Sequence, residues 1–209
     1  MNSLSYLHRF EPATQPGSPP LLLLHGTGGN ENDLLQVGRQ LSPGSALLSP
    51  RGDVNEGGLP RFFRRFAEGV FDLEDVAKRA NALADFAGAA AQRYGFAPAA
   101  LTALGYSNGA NIAASMLLLR PESLAGAVLL RPMVVLQPKQ LPDLHGKRVT
   151  LLAGRHDPIV PDDHPVRLAD MFRAAGAEVD LQWLETGHHL SGADFRLAAE
   201  ALAAATAKA

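Results

Sequence analysis

Six short apolar runs, each closed by glycine, proline or polar residues, alternate along this chain with longer stretches of helical period. The runs fall at 21–24, 46–48, 101–104, 127–130, 149–153 and 179–184. Bounded in this way, they read as buried strands. Between them, helices are predicted at 30–41, 72–95, 108–120, 163–175 and 192–207. In 72–95 the residues Leu73, Val76, Ala80, Leu83, Ala84, Ala87, Ala90, Ala91 and Tyr94 recur on one helical face. Such alternation predicts an α/β fold with a mainly parallel sheet covered by helices on both faces. Residues 5–10 read as an added edge strand. No repeat or internal boundary interrupts the pattern, so 1–209 reads as one domain.

Charge narrows the function classes. Nineteen Lys and Arg against 21 Asp and Glu leave a formal net charge of -2, which gives no electrostatic footprint for nucleic acid. The chain has no cysteine, excluding disulfides, thiolate catalysis and cysteine-ligated metal sites. The first ten residues lack the basic start and apolar core of a signal peptide, and no stretch approaches the roughly 20 apolar residues that span a bilayer. The expectation is a cytoplasmic protein without membrane or nucleic-acid partners.

In open sheets of this type, chemistry collects on loops beyond the carboxyl ends of the strands. Gly105-Tyr-Ser-Asn-Gly109 follows one apolar run and precedes a helical stretch. It would hold Ser107 on a sharp strand-to-helix turn, with glycines where a Cβ would crowd the neighbouring strand or helix. His25-Gly-Thr-Gly-Gly29, Gly154-Arg-His-Asp-Pro158 and Glu185-Thr-Gly-His-His189 follow three other runs. The candidate groups then come in the order Ser, Asp, His, the order of the α/β-hydrolase topology.

A serine hydroxyl is a weak nucleophile at neutral pH and needs a neighbouring imidazole to take its proton, which in turn needs a carboxylate to fix its tautomer. Asp157 suits the last role; its competing reading is a turn residue, with Asp162 and Asp163 the better caps for the helix near His164. Of the two adjacent imidazoles, His188, directly after Gly187, is the expected base and His189 points elsewhere. The backbone N–H groups of Asn108 and Thr27 are the expected oxyanion donors. A phosphate-cradling reading of residues 25–29 fails because the loop lacks both the P-loop and the dinucleotide spacings. A metal site on His156, Asp157, His188 and His189 is disfavoured, since adjacent histidines rarely reach one ion. No metal and no cofactor is expected.

Taken together, the blocks Leu-Leu-His-Gly-Thr-Gly-Gly-Asn-Glu-Asn-Asp-Leu (23–34), Ser-Pro-Arg-Gly-Asp-Val-Asn-Glu-Gly-Gly (49–58), Gly-Tyr-Ser-Asn-Gly-Ala-Asn (105–111), Gly-Arg-His-Asp-Pro-Ile-Val-Pro (154–161) and Gly-His-His-Leu (187–190) resemble the phospholipase/carboxylesterase family. This is a cap-poor branch of the α/β-hydrolases related to acyl-protein thioesterases. The segment 61–72 is most similar to a bacterial subgroup that includes hydroquinone-responsive hydrolases. The resemblance implies a serine carboxylesterase with Ser107, Asp157 and His188 as triad, Thr27 and Asn108 as oxyanion donors, a small-molecule ester as substrate, and a homodimer. His189 departs from the family, which often has Gln or another polar residue there. Thioester cleavage on acyl-proteins or acyl-coenzyme A is the alternative within hydrolases, and a non-catalytic ligand-binding protein on the same fold is the alternative outside them.

The segment 51–72 mixes charged residues, among them Arg51, Asp53, Glu56, Arg61, Arg64 and Arg65, with Phe62, Phe63, Phe66 and Phe71. It reads either as a wall of the site, with Phe62 and Phe66 on an acyl or aryl group and Arg64 on a polar head, or as a short surface helix. Met133, in the apolar stretch after Arg131-Pro132, is a further candidate wall. The short gaps elsewhere leave no room for a large cap domain.

Overall fold

The computed structural model describes residues 4–206. Its centre is a seven-stranded sheet built from β1 (His8–Glu11), β2 (Leu21–Leu24), β3 (Leu47–Pro50), β8 (Thr102–Tyr106), β9 (Gly126–Leu130), β10 (Arg148–Gly154) and β11 (Glu178–Leu184). The spatial order is β1-β3-β2-β8-β9-β10-β11. All pairings are parallel except the antiparallel edge pair of β1 with β3. The expected edge strand at 5–10 is thus real but shifted toward residue 11. The expected helix at 192–207 is α5 (Gly192–Thr206); position 207 lies outside the described residues.

Alternation along the buried strands explains the layers. Leu22 and Leu24 of β2, Ala127 and Leu129 of β9, and Val149 and Leu151 of β10 face a core shared with α2 (Leu73–Tyr94), α3 (Asn108–Leu119) and α4 (His164–Ala174). Leu21, Leu23, Val128, Leu130 and Leu152 face the other way, into a core closed by α1 (Leu35–Leu41) and α5. Period two puts successive side chains on opposite faces, so a strand with helices on both sides must be apolar throughout. Helix α2 starts where the Asp72 carboxylate accepts from the Asp75 N–H at 3.1 Å and stops at Gly95 in the left-handed region, φ 77°.

Two sequence expectations are corrected. The helix predicted over 30–41 begins only at Leu35, because Asn30 and Asp33 make local bonds instead: Asn32 N–H donates to Asn30 Oδ1 at 2.9 Å and Asn30 N–H to Asp33 Oδ2 at 3.2 Å. The segment 51–72 contains no helix. It forms two small antiparallel hairpins, β4 (Val54–Glu56) with β5 (Leu59–Arg61) and β6 (Arg65–Ala67) with β7 (Val70–Phe71). There is no large cap, and among the described residues no helix is long and apolar enough to cross a membrane.

Strand order determines where a site can form. The chain leaves β2 toward β3 on one side and returns to β8 on the other, so the carboxyl ends of β2 and β8 flank the point where the winding reverses. Helix α3 packs tightly there: a Cβ on Gly109 would lie 2.0 Å from the Leu24 carbonyl oxygen, and one on Gly105 would lie 2.5 Å from the Gly109 carbonyl oxygen. Gly88, within α2, has open space around its would-be Cβ. Urea unfolding should therefore separate two glycine-to-alanine changes. Gly88→Ala should stabilise by about 0.5–1 kcal/mol through helix propensity, whereas Gly109→Ala should destabilise by about 3 kcal/mol or more, because backbone on both sides must move.

Candidate active site

Ser107 sits between β8 and α3 with φ 53° and ψ -113°, a conformation that L-residues rarely adopt. It is held there by its own backbone: its N–H donates to the Leu130 carbonyl at 2.8 Å and its carbonyl accepts from Asn111 N–H at 3.0 Å. The turn aims the side chain outward, and Ser107 Oγ lies 3.0 Å from His188 Nε2. His188 Nδ1 lies 2.8 Å from Asp157 Oδ2. An ionised carboxylate only accepts, so Nδ1 carries the proton and Nε2 is left to accept from the serine hydroxyl. The side chain of His188 is 13% exposed and that of Asp157 1%, giving a dry carboxylate behind an imidazole that solvent just reaches.

Asp157 makes the contacts of both readings weighed from sequence. Oδ1 closes the turn by accepting from Ile159 N–H at 2.8 Å and Val160 N–H at 3.1 Å, which leaves Oδ2 for His188. Asp163 holds the N-cap position of α4, but its carboxylate bonds Arg167 rather than capping the backbone. The ring of His189 is solvent-exposed. His156 is also exposed and pairs with Glu185 at 3.2 Å, so neither joins Asp157 and His188 in a cluster.

The loop that carries His188 is fastened by a residue with no role in the sequence reading. Arg131, at the end of β9, is fully buried and has φ 57°. Its guanidinium donates to Gly187 O at 2.9 Å, His189 O at 3.2 Å, Thr186 Oγ1 at 2.9 Å and Leu152 O at 3.2 Å. Its charge is matched by Asp194 at 2.6 Å, with both side chains 0% exposed. Burial pushes the Asp194 carboxyl up, but the hydrogen bonds from Arg131 and Ser191 outweigh it and hold the pKa below the usual carboxylate range. Gly154 allows the approach of this loop, since a Cβ there would meet Gly187 O at 2.5 Å. Tyr106 completes the hold, its hydroxyl donating to His188 O at 3.2 Å.

Thr27 and Asn108 lie beyond the ends of β2 and β8 on either side of the serine. Among the described residues, neither backbone N–H is taken by a protein acceptor, whereas Gly28 N–H and Gly29 N–H are bonded to Pro60 O and Gly26 O. Beneath the loop, His25 is buried; its Nε2 accepts from Gly52 N–H at 3.0 Å and its Nδ1 donates to the Gly26 carbonyl at 2.7 Å. Only the neutral imidazole makes both bonds, and burial holds its pKa below the ordinary histidine value. The Asn108 side chain is equally buried: Oδ1 accepts from Phe62 N–H at 2.8 Å, and Nδ2 has no partner among the described residues.

The expected substrate contacts are redistributed. Phe62, 1% exposed, packs 4.7 Å from the His25 ring and so supports the loop from below rather than facing a ligand. Met133 is also buried, its N–H bonded to Asn111 Oδ1 at 2.8 Å. Arg64 pairs with Asp72 at the start of α2, and Phe66 stands 72% exposed on the second hairpin. Leu59, half exposed, is the apolar side chain beside the glycine loop, 3.1 Å from where a Gly28 Cβ would be. A cavity of about 640 Å³ lies elsewhere, at the opposite ends of the strands, where Thr102, Gly126, Arg148 and Glu178 begin β8 to β11. Its position separates it from Ser107 by the length of the sheet.

Known proteins share this arrangement of chain. A Bacillus subtilis (strain 168) protein whose name reads "Putative hydrolase MhqD" is 45% identical over 184 residues, covering 88% of this chain and 91% of that one. The crystal structure of the Bacillus cereus carboxylesterase superposes with a TM-score of 0.94 at 43% identity, over 96% of this chain and 95% of that chain. The structure of a carboxylesterase from Mesorhizobium loti superposes with a TM-score of 0.89 at 32% identity, over 97% of both. No family model matches the chain.

Two measurements probe the supports of the site. Removing the Asp194 charge strands a buried guanidinium, so Asp194→Ala should lose about 3–5 kcal/mol in urea unfolding and loosen the His188 loop. The lowered pKa of His25 has a definite sign: its contribution to stability is full above about 6.5, the unfolded value, and is lost as pH falls toward the lower native value. Stability measured between about pH 5 and pH 6.5 should fall less steeply in His25→Asn than in the parent.

Proposed function

The chain belongs to the phospholipase/carboxylesterase family of ester hydrolases, and from that membership and the site geometry we propose that it is a serine carboxylesterase working through an acyl-enzyme. Ser107 Oγ attacks the ester carbonyl as its proton passes to His188 Nε2, and Asp157 balances the imidazolium that forms. The carbonyl oxygen, now negative, is held by the N–H groups of Thr27 and Asn108. Collapse of the tetrahedral species expels the alcohol, which takes the proton from His188. Water then enters by the same route in reverse: His188 accepts its proton, hydroxide adds to the acyl carbonyl, and Ser107 leaves with the proton returned.

The observation that carries this reading is the continuous bond chain Ser107 Oγ to His188 Nε2 at 3.0 Å and His188 Nδ1 to Asp157 Oδ2 at 2.8 Å, starting from a serine held at φ 53°. A strained serine has a cost that a turn without chemistry would avoid by using glycine. For the substrate, two small hairpins in place of a cap support compact or extended esters bound at an open surface, with Leu59 the nearest exposed apolar contact.

Fluorophosphonate labelling followed by peptide mass spectrometry tests the nucleophile. The adduct is expected on Ser107; an adduct on another residue, or none on folded protein, would overturn the assignment. Ser107→Ala should lower kcat/KM on a model aryl ester by about 10⁴-fold or more. His188→Ala should do the same, while His189→Ala stays near the parent; the reverse result would exchange the two histidines.

A further inference from the structure

Three consecutive residues of the first hairpin reach both halves of the proposed oxyanion site. The Pro60 carbonyl accepts from Gly28 N–H at 2.9 Å. Arg61 Nη1 donates to Thr27 Oγ1 at 2.5 Å. Phe62 N–H donates to Asn108 Oδ1 at 2.8 Å, and its ring lies under His25. Thr27 and Asn108 come from the ends of different strands, and among the described residues no hydrogen bond joins them directly. Their relative placement is therefore mediated, and 60–62 is the segment bonded to both sides.

Arg61 is the unexpected member. It is 2% exposed, its Nε donates to Phe63 O at 3.3 Å, and its ion-pair partner Glu56, at 3.2 Å, is 35% exposed. Burial pushes the guanidinium down to about 10. Burying a cation costs several kcal/mol and is a poor route to stability when an apolar residue could fill the same space. A second function for the charge is needed, and its bonding supplies one: a rigid planar fork that locks the Thr27 side chain to the hairpin and leaves a positive charge one hydroxyl away from the Thr27 N–H.

We infer that Pro60-Arg61-Phe62 is a clasp setting the geometry of the oxyanion donors, and that Arg61 is its positioning residue, acting through the Thr27 hydroxyl. This rests on the serine-esterase reading above. Arg61 touches no substrate; its influence should be felt only when negative charge develops on the carbonyl oxygen. The clasp also gives the family-like 51–62 segment a task distinct from contact with the acyl or alcohol group.

The test uses Thr27→Val, which keeps the shape and removes the acceptor, and Thr27→Ser, which restores it. Both lie on an exposed loop residue, so folding is not at risk; Arg61→Gln and the Thr27→Val/Arg61→Gln double variant are added where they fold. Steady-state kinetics on an aryl ester are paired with binding of a trifluoromethyl ketone, whose adduct with the serine carries an oxyanion. Thr27→Val should lower kcat about 10- to 100-fold with little change in KM, weaken ketone binding by a similar factor, and leave the protein folded with only a small drop in melting temperature from the one hydrogen bond lost to the buried guanidinium. Thr27→Ser should recover most of the kcat and ketone affinity lost in Thr27→Val, and the double variant should be no worse than Arg61→Gln alone. Parent-like kcat and ketone affinity in Thr27→Val, an effect confined to KM, or multiplied effects in the double variant would each overturn the clasp. Full activity in Ser107→Ala would instead remove the reading beneath it, so the two failures are told apart.

Discussion

The buried pair of Arg131 and Asp194 is the interaction on which the rest of the site depends. One guanidinium, fully enclosed, gathers the end of β9, a carbonyl of β10, the loop 186–189 and the first turn of α5. Its backbone is left-handed, a conformation that costs free energy in an arginine, and both charges are stripped of water. Such a pair is weak evidence for stability. It is stronger evidence for placement, because the loop it grips brings His188 within bonding distance of Ser107 and Asp157.

A second constraint is set by contact between backbones. Gly109 lies against the end of β2 and Gly154 against the turn before His188, at distances that admit no side chain. The first sets the serine's helix beside the loop of Thr27; the second sets the loop of Asp157 beside that of His188, where His156 N–H also bonds Thr186 O at 3.0 Å. Side-chain chemistry at the centre therefore relies on main-chain packing one shell out.

How much of this was legible in the sequence follows from the physics of each element. Strands such as Leu21–Leu24 are apolar on both faces and fall where the sequence places them, while others, such as Leu47–Pro50, differ only at their ends. The elbow was readable because Gly105 and Gly109 are obligatory on both sides of Ser107. The hairpins of 54–71 were not, since Arg61 and Phe62 are buried in succession while Phe66 is exposed, which inverts the usual pattern. Arg131 was passed over for a related reason: a charged residue just past a strand reads as surface, and only a carboxylate 63 positions away makes its burial possible. Asp157 posed a choice between turn and triad, and its two oxygens are used separately, Oδ1 on the turn and Oδ2 on His188.

The wide separation of the interacting groups along the chain has a consequence for how the protein acquires its chemistry. The partners of His188 lie 31 and 81 positions before it, and the loop carrying it is anchored by β9, β10 and α5. Contacts of such long range form late, after the entropy of closing the intervening chain has been overcome. A nascent or partly folded chain would carry Ser107 without the His188 bond. On the mechanism proposed above, reactivity emerges together with the complete native topology, and Ser107 gains its bond to His188 only once the last third of the chain has folded onto the sheet.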